Sequence, residues 1–151
     1  MNENTINGDL IGVSLRQLGA TSVREIRSMM HIATFDLGDG IEVSYVFNIT
    51  KGNQYYLQRM RPYALPWGMF ADAAQIVRFI TSDIEKFRNA VHSSNFKEFV
   101  GLAEKTTMLV SQLEAVFLNN NVTPASLQAF DDELGRLMSK ADDMREQASP
   151  L

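Results

Sequence analysis

Cysteine is absent from this sequence of 151 residues, and its absence excludes several kinds of site. Without thiols the chain forms no disulfide, uses no thiolate nucleophile and builds no zinc site with sulfur ligands. Apolar runs as long as the roughly 18 residues of a membrane-spanning helix are missing too, and the first residues have neither the basic region nor the apolar stretch of a signal peptide. We therefore predict a cytoplasmic protein that makes no membrane contact.

An excess of basic residues is also lacking. The formal net charge is −4 and the pI is near 5.1, so the chain as a whole repels nucleic acid and anionic lipid. Basic and acidic side chains balance over residues 1–61. Nucleic-acid binding therefore ranks last among the hypotheses, because it would require a local basic surface built from Arg24, Arg27, Arg59 and Arg61.

Motifs for catalysis are missing as well. The sequence has no nucleophile elbow, no P-loop and no glycine-rich dinucleotide motif. His31 and His92 are isolated in the sequence, so no ligand spacing predicts a metal site. Asp36, Asp39 and Glu42 bracket a turn and are interpreted as turn and surface residues. The sequence thus predicts no catalytic residue, no metal and no cofactor, although an enzyme site assembled from scattered residues would leave no local motif.

The periodicity of the apolar residues predicts a helix followed by a strand meander. Apolar and charged fractions of 45% and 21% are typical of a chain that folds around a core. Residues 1–8 are polar and are predicted to be mobile, after which Asp9 caps a short helix that ends at Gly19. Alternation with a period of two then predicts antiparallel strands at 27–37, 41–49 and 54–61, separated by turns at 38–40 and 50–53.

After the meander, apolar residues recur at spacings of three and four, which is typical of amphipathic helices. The phase breaks near residue 95, where Asn95 and Glu98 are predicted to form a capping box. Thr123 and Pro124 predict the start of a further helix. The predicted helices cover about 70–91, 96–117 and 124–144.

These elements predict an α+β fold with an N-terminal helix, a three-stranded antiparallel meander and then three amphipathic helices packed on one sheet face. A single domain is predicted over 9–151, with a sheet part at about 9–68 and a helical part at about 69–147. A small sheet with one apolar face needs a covering layer, and the helices are expected to supply it.

The most distinctive segment joins the third strand to the first long helix. It runs from Arg59 to Gly68 and contains Arg61, Tyr63 and Trp67, the only tryptophan. Arg59 and Arg61 are two residues apart on the predicted third strand, so both are predicted to lie on one face. Guanidinium groups beside aromatic rings can bind a carboxylate or phosphate. These four residues are therefore the candidate ligand- or partner-binding residues, and a purely structural role for the segment is the competing interpretation.

Each predicted helix has one row of apolar residues spaced three and four apart, which we call its seam, and the seam of the first long helix is Phe70, Ala73, Val77, Ile80, Ile84, Phe87 and Val91. The helices carry more apolar residues than these seams contain. Examples beside the seams are Ile76, Phe79, Val100, Leu102, Leu109 and Val116. Because surplus apolar surface is typical of a binding surface, we predict that the chain binds another protein or itself, with a homodimer expected. In topology, the order of helix, meander and helix resembles that of type III secretion chaperones, although the strands that follow their second helix have no counterpart here. The resemblance implies protein binding.

Two functional hypotheses result. The first is a non-enzymatic protein-interaction module, which would act as an adaptor, a regulator or a secretion-type chaperone through helix faces or a sheet edge. The alternative is a sensor of a small ligand or nucleotide, with Arg59, Arg61, Tyr63 and Trp67 around a pocket between sheet and helix.

Overall fold

The computed structural model describes residues 3–149 and shows an α+β fold. Among these residues there are four helices and one sheet of four antiparallel strands. The elements are α1 (Glu3–Gln17), β1 (Ser28–Asp36), β2 (Glu42–Thr50), β3 (Tyr55–Arg61), β4 (Leu65–Phe70), α2 (Ala73–Ala90), α3 (Phe96–Asn119) and α4 (Pro124–Gln147). The predicted order of a helix, then strands, then three helices is confirmed, whereas the predicted number of strands is wrong.

The strand that the sequence pattern does not predict is β4. The sheet is a meander in the order β1-β2-β3-β4, with β4 antiparallel to β3. Pro66 and Gly68 argue against a strand here, because proline lacks an amide proton and glycine weakens strands. The structure accommodates both at an edge with a bulge, where Trp67 has no partner on β3 and Gly68 pairs with Leu57.

Helix α1 starts earlier than predicted. It begins at Glu3, so Asp9 lies within the helix and does not cap it. It ends close to the predicted stop at Gly19, whose φ of 98° is typical of the residue after a helix. The segment 1–8 therefore belongs to α1 from Glu3 onward, and its first two residues lie outside the described part of the chain.

The two hairpin turns follow the prediction. Gly38 and Gly40 have φ values of 86° and 76°, and Asp39 between them has a φ of 53°. In the second turn Asn53 has a φ of 51°. Positive φ values favour glycine, asparagine and aspartate, which explains why the composition of these segments identifies them as turns.

The core lies between the inner face of the sheet and α2. Its buried side chains are Val43, Tyr45, Leu57, Ile84, Phe87 and Phe96. The start of α3 takes part through Phe96 and Val100. In α4, which is described over its whole length, no side chain is buried. The prediction that all three C-terminal helices pack on the sheet is therefore correct for α2 and wrong for α4 and for most of α3.

Helix α2 begins at a capping aspartate. Asp72 Oδ1 accepts a hydrogen bond from the Gln75 N–H at 2.8 Å, which satisfies one of the free donors of the first turn. The helix therefore starts at Ala73, whereas the apolar spacing predicts a start at Phe70, which instead ends β4.

The predicted seam of α2 is confirmed at Ile84 and Phe87, and it is wrong near the start of the helix. Ile76, Ile84 and Phe87 are buried, whereas Val77, which the spacing assigns to the seam, is 63% exposed. Ile76 and Val77 precede Ile80 by four and three residues, so both are at helical spacing and the spacing alone does not decide which of them is buried.

Of the caps predicted at the N-termini of α3 and α4, one is wrong and one is confirmed. The Asn95 side chain makes no capping hydrogen bond, so the capping box with Glu98 is wrong. Thr123 Oγ1 accepts from the Ser126 N–H at 3.2 Å, and Pro124 opens α4, as predicted. The break between the two long helices is also confirmed, since α2 and α3 are separate elements.

Candidate functional site

Arg59 and Arg61 do not share a face of the sheet, because β3 contains a bulge between them. Arg59 pairs with Tyr45 of β2 and Arg61 pairs with the adjacent Ser44, so Met60 has no partner on that strand. An extra residue of this kind shifts the alternation of side chains beyond it. The prediction that the two arginines lie together is therefore wrong.

Arg59 forms a buried ion pair with Asp83 of α2. Its Nη1 lies 2.9 Å from Asp83 Oδ2, and the two side chains are 3% and 13% exposed. The same oxygen accepts a hydrogen bond from the Tyr45 hydroxyl at 2.6 Å. One carboxylate thus joins β2, β3 and α2, and the guanidinium compensates its charge. The positive charge of Arg59 is accordingly neutralised within the chain.

Aromatic rings surround the Arg59 guanidinium. Its Cζ lies 4.5 Å from the ring centroid of Tyr63 and 4.8 Å from that of Phe87. The Trp67 ring is 5.7 Å away. All three distances are within the range of cation–π attraction. The structure therefore brings Arg59, Tyr63 and Trp67 together in a packed group with Tyr45, Asp83 and Phe87, which we call the Arg59 cluster.

The Tyr45 hydroxyl in this cluster keeps its proton. Burial raises the pKa of Tyr45 above its ordinary value, and the hydrogen bond to the Asp83 carboxylate raises it further. The positive charge of Arg59 lowers this pKa, but it is the weaker influence. Tyr45 therefore donates a hydrogen bond throughout the neutral pH range and is unsuited to acid–base chemistry.

Arg61 lies apart from the Arg59 cluster, at an open cleft. Its Nη1 is 3.2 Å from Glu42 Oε1, and its side chain is 67% exposed. The cleft has a volume of about 340 Å³ and is lined by Arg61, Glu42 and Lys97 over an apolar floor that includes Ile41 and Phe96. A volume of this size is within the range of small-ligand sites. Of the four predicted site residues, Arg61 is therefore the one that lines this cleft.

Trp67 connects β4 to α2. Its ring centroid lies 4.7 Å from that of Phe79, and the side chain is 39% exposed. Trp67 is the bulge residue of β4, and Gly68 after it has a φ of 85°, a conformation that side chains with a Cβ rarely adopt. The bulge and this glycine together place the indole against the helix.

Asp83 and Tyr45 are the members of the Arg59 cluster that sequence reasoning does not identify. Tyr45 follows the alternation of β2 and resembles any aromatic core residue. Asp83, however, carries a signal, since it lies three residues after Ile80 and four before Phe87 on the apolar side of α2. A carboxylate at this spacing within an apolar seam requires a buried donor or cation, because an unpaired buried charge is costly.

A second candidate site is the apolar surface of α3 and α4, which we call the helix surface. Both helices are described over their whole length, and Phe96 is the one side chain that they bury. The large apolar residues exposed on them are Phe99, Leu102, Met108, Val110, Val116, Phe117, Leu118, Leu127, Leu137, Met138 and Met144. Val100, which the spacing assigns to this surplus, instead packs against the core.

Comparison of the chain with protein families, with curated proteins and with solved structures finds no significant match. Over residues 3–149, no helix is long and apolar enough to cross a membrane. In the same part of the chain, no three histidine, aspartate or glutamate side chains are grouped so that they could hold a metal ion. The His31 ring instead stacks on the ring of Phe47, with the two ring centroids 4.8 Å apart. The two candidate sites therefore rest on their geometry alone.

Proposed function

We propose that this chain is a non-enzymatic protein-interaction module that binds another protein through the helix surface. In this role it serves as an adaptor, a regulator or a secretion-type chaperone in the cytoplasm. One observation supports the proposal: α3 and α4, of 24 residues each and fully described, bury a single side chain between them.

The physical reason is that long helices in water gain most of their stability from packing one face against another element. Along α3, the exposed residues Phe99, Leu102, Val110 and Phe117 recur at helical spacing and form such a face. Removing apolar area from water is favourable by about 25 cal/mol per Å² before the entropic cost of association is subtracted. Monomeric proteins also rarely leave large contiguous apolar patches in water. The helix surface thus has the composition of a surface that is covered in the functional state.

The charge of α4 favours one kind of partner. Its ionisable side chains are Asp131, Asp132, Glu133, Arg136, Lys140, Asp142, Asp143, Arg145 and Glu146. Arg136 pairs with Glu133 and Arg145 with Asp142, so acidic groups remain in excess. An amphipathic helix with an apolar stripe and basic flanks complements this surface in both polarity and charge.

Two substitutions that add the same charge to α3 test the proposal. Val110 is 65% exposed, and Val110→Glu places a carboxylate within the helix surface without disturbing the core. Gln112→Glu adds the same charge about 200° further around the helix, away from the face formed by Phe99, Leu102, Val110 and Phe117. Val100→Glu is unsuitable, because Val100 packs against the core and its replacement would also destabilise the fold.

The readout is native mass spectrometry of protein purified gently from its own host, with circular dichroism to verify folding. We expect the wild type and Gln112→Glu to retain the mass of a different protein chain and Val110→Glu to lose it while remaining folded. Equal retention by Val110→Glu and Gln112→Glu would refute the role of the helix surface. A wild type that carries no foreign protein mass at high concentration would refute the proposed function itself.

A second candidate function is sensing of a small ligand, and the cleft beside Arg61 is the observation that favours it. Arg61 and Lys97 supply cationic donors for a carboxylate or phosphate above an apolar floor. The same mass spectra would then show a bound metabolite in the wild type and none in Arg61→Ala. Because Arg61 is exposed, this substitution should change the melting temperature by no more than a few degrees. Spectra without a metabolite would argue against the sensor.

A further inference from the structure

The two edges of the sheet differ in their protection against pairing with another strand. At one edge, β4 contains Pro66, a bulge at Trp67 and Gly68 in the left-handed conformation, each of which hinders further pairing. At the other edge, β1 runs for 9 residues in unbroken register with β2. It contains no proline, lysine or arginine, and its acidic residue, Asp36, comes last. Within the described chain, β1 is therefore the open edge.

Hydrogen bonds in the hairpin turns determine which peptide groups of β1 face outward. The Thr50 N–H donates to Gln54 O, so the even-numbered residues of β2 bond to β3 and the odd-numbered ones bond to β1. In the other turn, the Leu37 N–H donates to Ile41 O, which likewise shows that the odd-numbered residues of β1 and β2 hydrogen-bond to each other. The residues of β1 whose N–H and C=O groups face the open edge are consequently Ser28, Met30, Ile32, Thr34 and Asp36.

The middle of this edge carries large apolar side chains that nothing in the described chain covers. Met30 is 67% exposed and Ile32 is 72% exposed, although both lie in the middle of a strand. Met29, on the other face, is also 67% exposed. A long, regular, apolar edge strand is a template for another strand, and natural proteins usually block such an edge. The open edge therefore has the properties of an interface.

We propose that β1 of a second copy of this chain occupies the open edge, paired antiparallel about a two-fold axis at Ile32. The axis sets Ile32 opposite itself, Met30 opposite Thr34 of the second copy and Ser28 opposite Asp36 of the second copy. The two sheets become one continuous sheet, and the Met30 and Ile32 side chains of both copies form an uninterrupted apolar strip across the seam.

The register of β1 favours a second copy as the occupant. A two-fold axis at Ile32 matches each outward-facing residue with another outward-facing residue, so the new ladder is complete over the whole strand. Antiparallel pairing also sets Asp36 opposite Ser28 and beside Arg27 of the second copy, whereas parallel pairing in register would place two Asp36 carboxylates side by side. Because β4 is blocked, the contact closes after two copies and does not propagate into a fibre.

The absence of cysteine provides a register-specific test. Ile32→Cys introduces one thiol per chain, and at a paired two-fold position the two Cα atoms would lie about 5.5 Å apart, within the range of a disulfide. Met30→Cys is the matched control, because its mate in the second copy would lie about 13 Å away along the strand. On mild oxidation we expect a covalent dimer for Ile32→Cys and monomer for Met30→Cys in denaturing electrophoresis. Equal cross-linking of the two variants, or none in Ile32→Cys, would overturn the proposal.

A charge substitution provides the second test. Ile32→Lys sets two ammonium groups directly opposite each other, whereas Met69→Lys makes a similar change on the blocked edge strand β4. We expect light scattering to report a folded monomer for Ile32→Lys and a dimer for Met69→Lys and the wild type. A dimeric Ile32→Lys protein would contradict the assignment of the seam to β1.

These tests are independent of the proposed helix-surface function. If Val110→Glu loses the foreign protein mass and keeps the dimer mass, the helix surface binds the partner independently of the open edge. If Ile32→Lys dissociates the dimer and still binds the foreign protein, the open edge forms the dimer independently of the helix surface.

Discussion

Arg59 and Asp83 are joined by a 2.9 Å ion pair that links β3 to α2 within a group of aromatic rings. Asp83 also accepts a hydrogen bond from the Tyr45 hydroxyl. Its carboxylate is therefore bound by one cationic donor, Arg59, and one neutral donor, Tyr45. Removing one partner of a buried ion pair destabilises a protein by more than the pair itself stabilises it, because the remaining charge stays buried without compensation. The Arg59 cluster therefore gives sharp predictions about stability.

Arg59→Ala should destabilise the fold by about 3–5 kcal/mol, because it leaves the Asp83 carboxylate partly buried without a cation. Arg61→Ala is the matched control, and we expect it to cost no more than about 1 kcal/mol, because its pair with Glu42 is exposed. Urea unfolding followed by circular dichroism measures both. Similar losses for the two variants would show that Arg59 is less important to the core than its burial indicates.

The stability contributed by Tyr45 should decrease at alkaline pH. Burial, together with the hydrogen bond to Asp83, raises the pKa of Tyr45 in the folded protein above the value of about 10 in the unfolded chain. Above pH 10 the unfolded chain therefore loses this proton while the folded chain keeps it, which favours unfolding. The contribution is complete below about pH 10 and falls by about 1.4 kcal/mol per pH unit above it.

Tyr45→Phe isolates this effect from the other groups that titrate at high pH. The difference in unfolding free energy between the wild type and Tyr45→Phe should be constant from pH 7 to about pH 9 and shrink between about pH 10 and 11. Urea titrations of both proteins at each pH measure it. A difference that does not change up to about pH 11 would mean that the Tyr45 hydroxyl ionises equally in both states.

Glycine-to-alanine substitutions at two positions should have opposite signs. At Gly68 and at Gly135 alike, an added Cβ meets no atom within 4 Å. Gly68 has a φ of 85°, so Gly68→Ala should lose about 1–2 kcal/mol through backbone strain. Gly135 lies within α4, where Gly135→Ala should raise helical content and stabilise the helix by about 0.5–1 kcal/mol. Thermal melts and far-ultraviolet circular dichroism compare the two, and a destabilised Gly135→Ala protein would be the contrary result.

Much of the fold follows from local pattern. The alternation along 41–49 and the turn residues Gly38, Asp39 and Gly40 predict the first hairpin correctly, because one face of β2 is buried and the turn requires positive φ. The start of α4 follows from Thr123 and Pro124 for a similarly local reason, the geometry of a helix cap.

Two bulges account for the main errors. Trp67 interrupts the alternation of β4, so its apolar residues resemble a connecting segment, and Met60 separates the environments of Arg59 and Arg61. A bulge depends on the partner strand as well as on its own residues, so spacing within one strand does not reveal it. For the same reason the pairing of Arg59 with Asp83, which are distant in sequence, could not be predicted from the arginine segment alone.

The packing of the helices could not be predicted from their seams. A periodic apolar face indicates that a helix packs against another element. It does not indicate whether that element belongs to the same chain. For α2 the sheet supplies it, through Ile84 and Phe87. For α4 no described residue does so to the point of burying a side chain.

The sparse burial of α4 has a consequence for the life of the protein in the cell. A helix whose own chain covers little of it opens readily, and an opened helix is a substrate for proteases. A partner that covers it shifts this equilibrium by mass action in proportion to its free concentration. If the proposed partner binds there, copies without it would be cleared sooner than assembled ones, and turnover itself would hold the amount of this chain close to the amount of that partner.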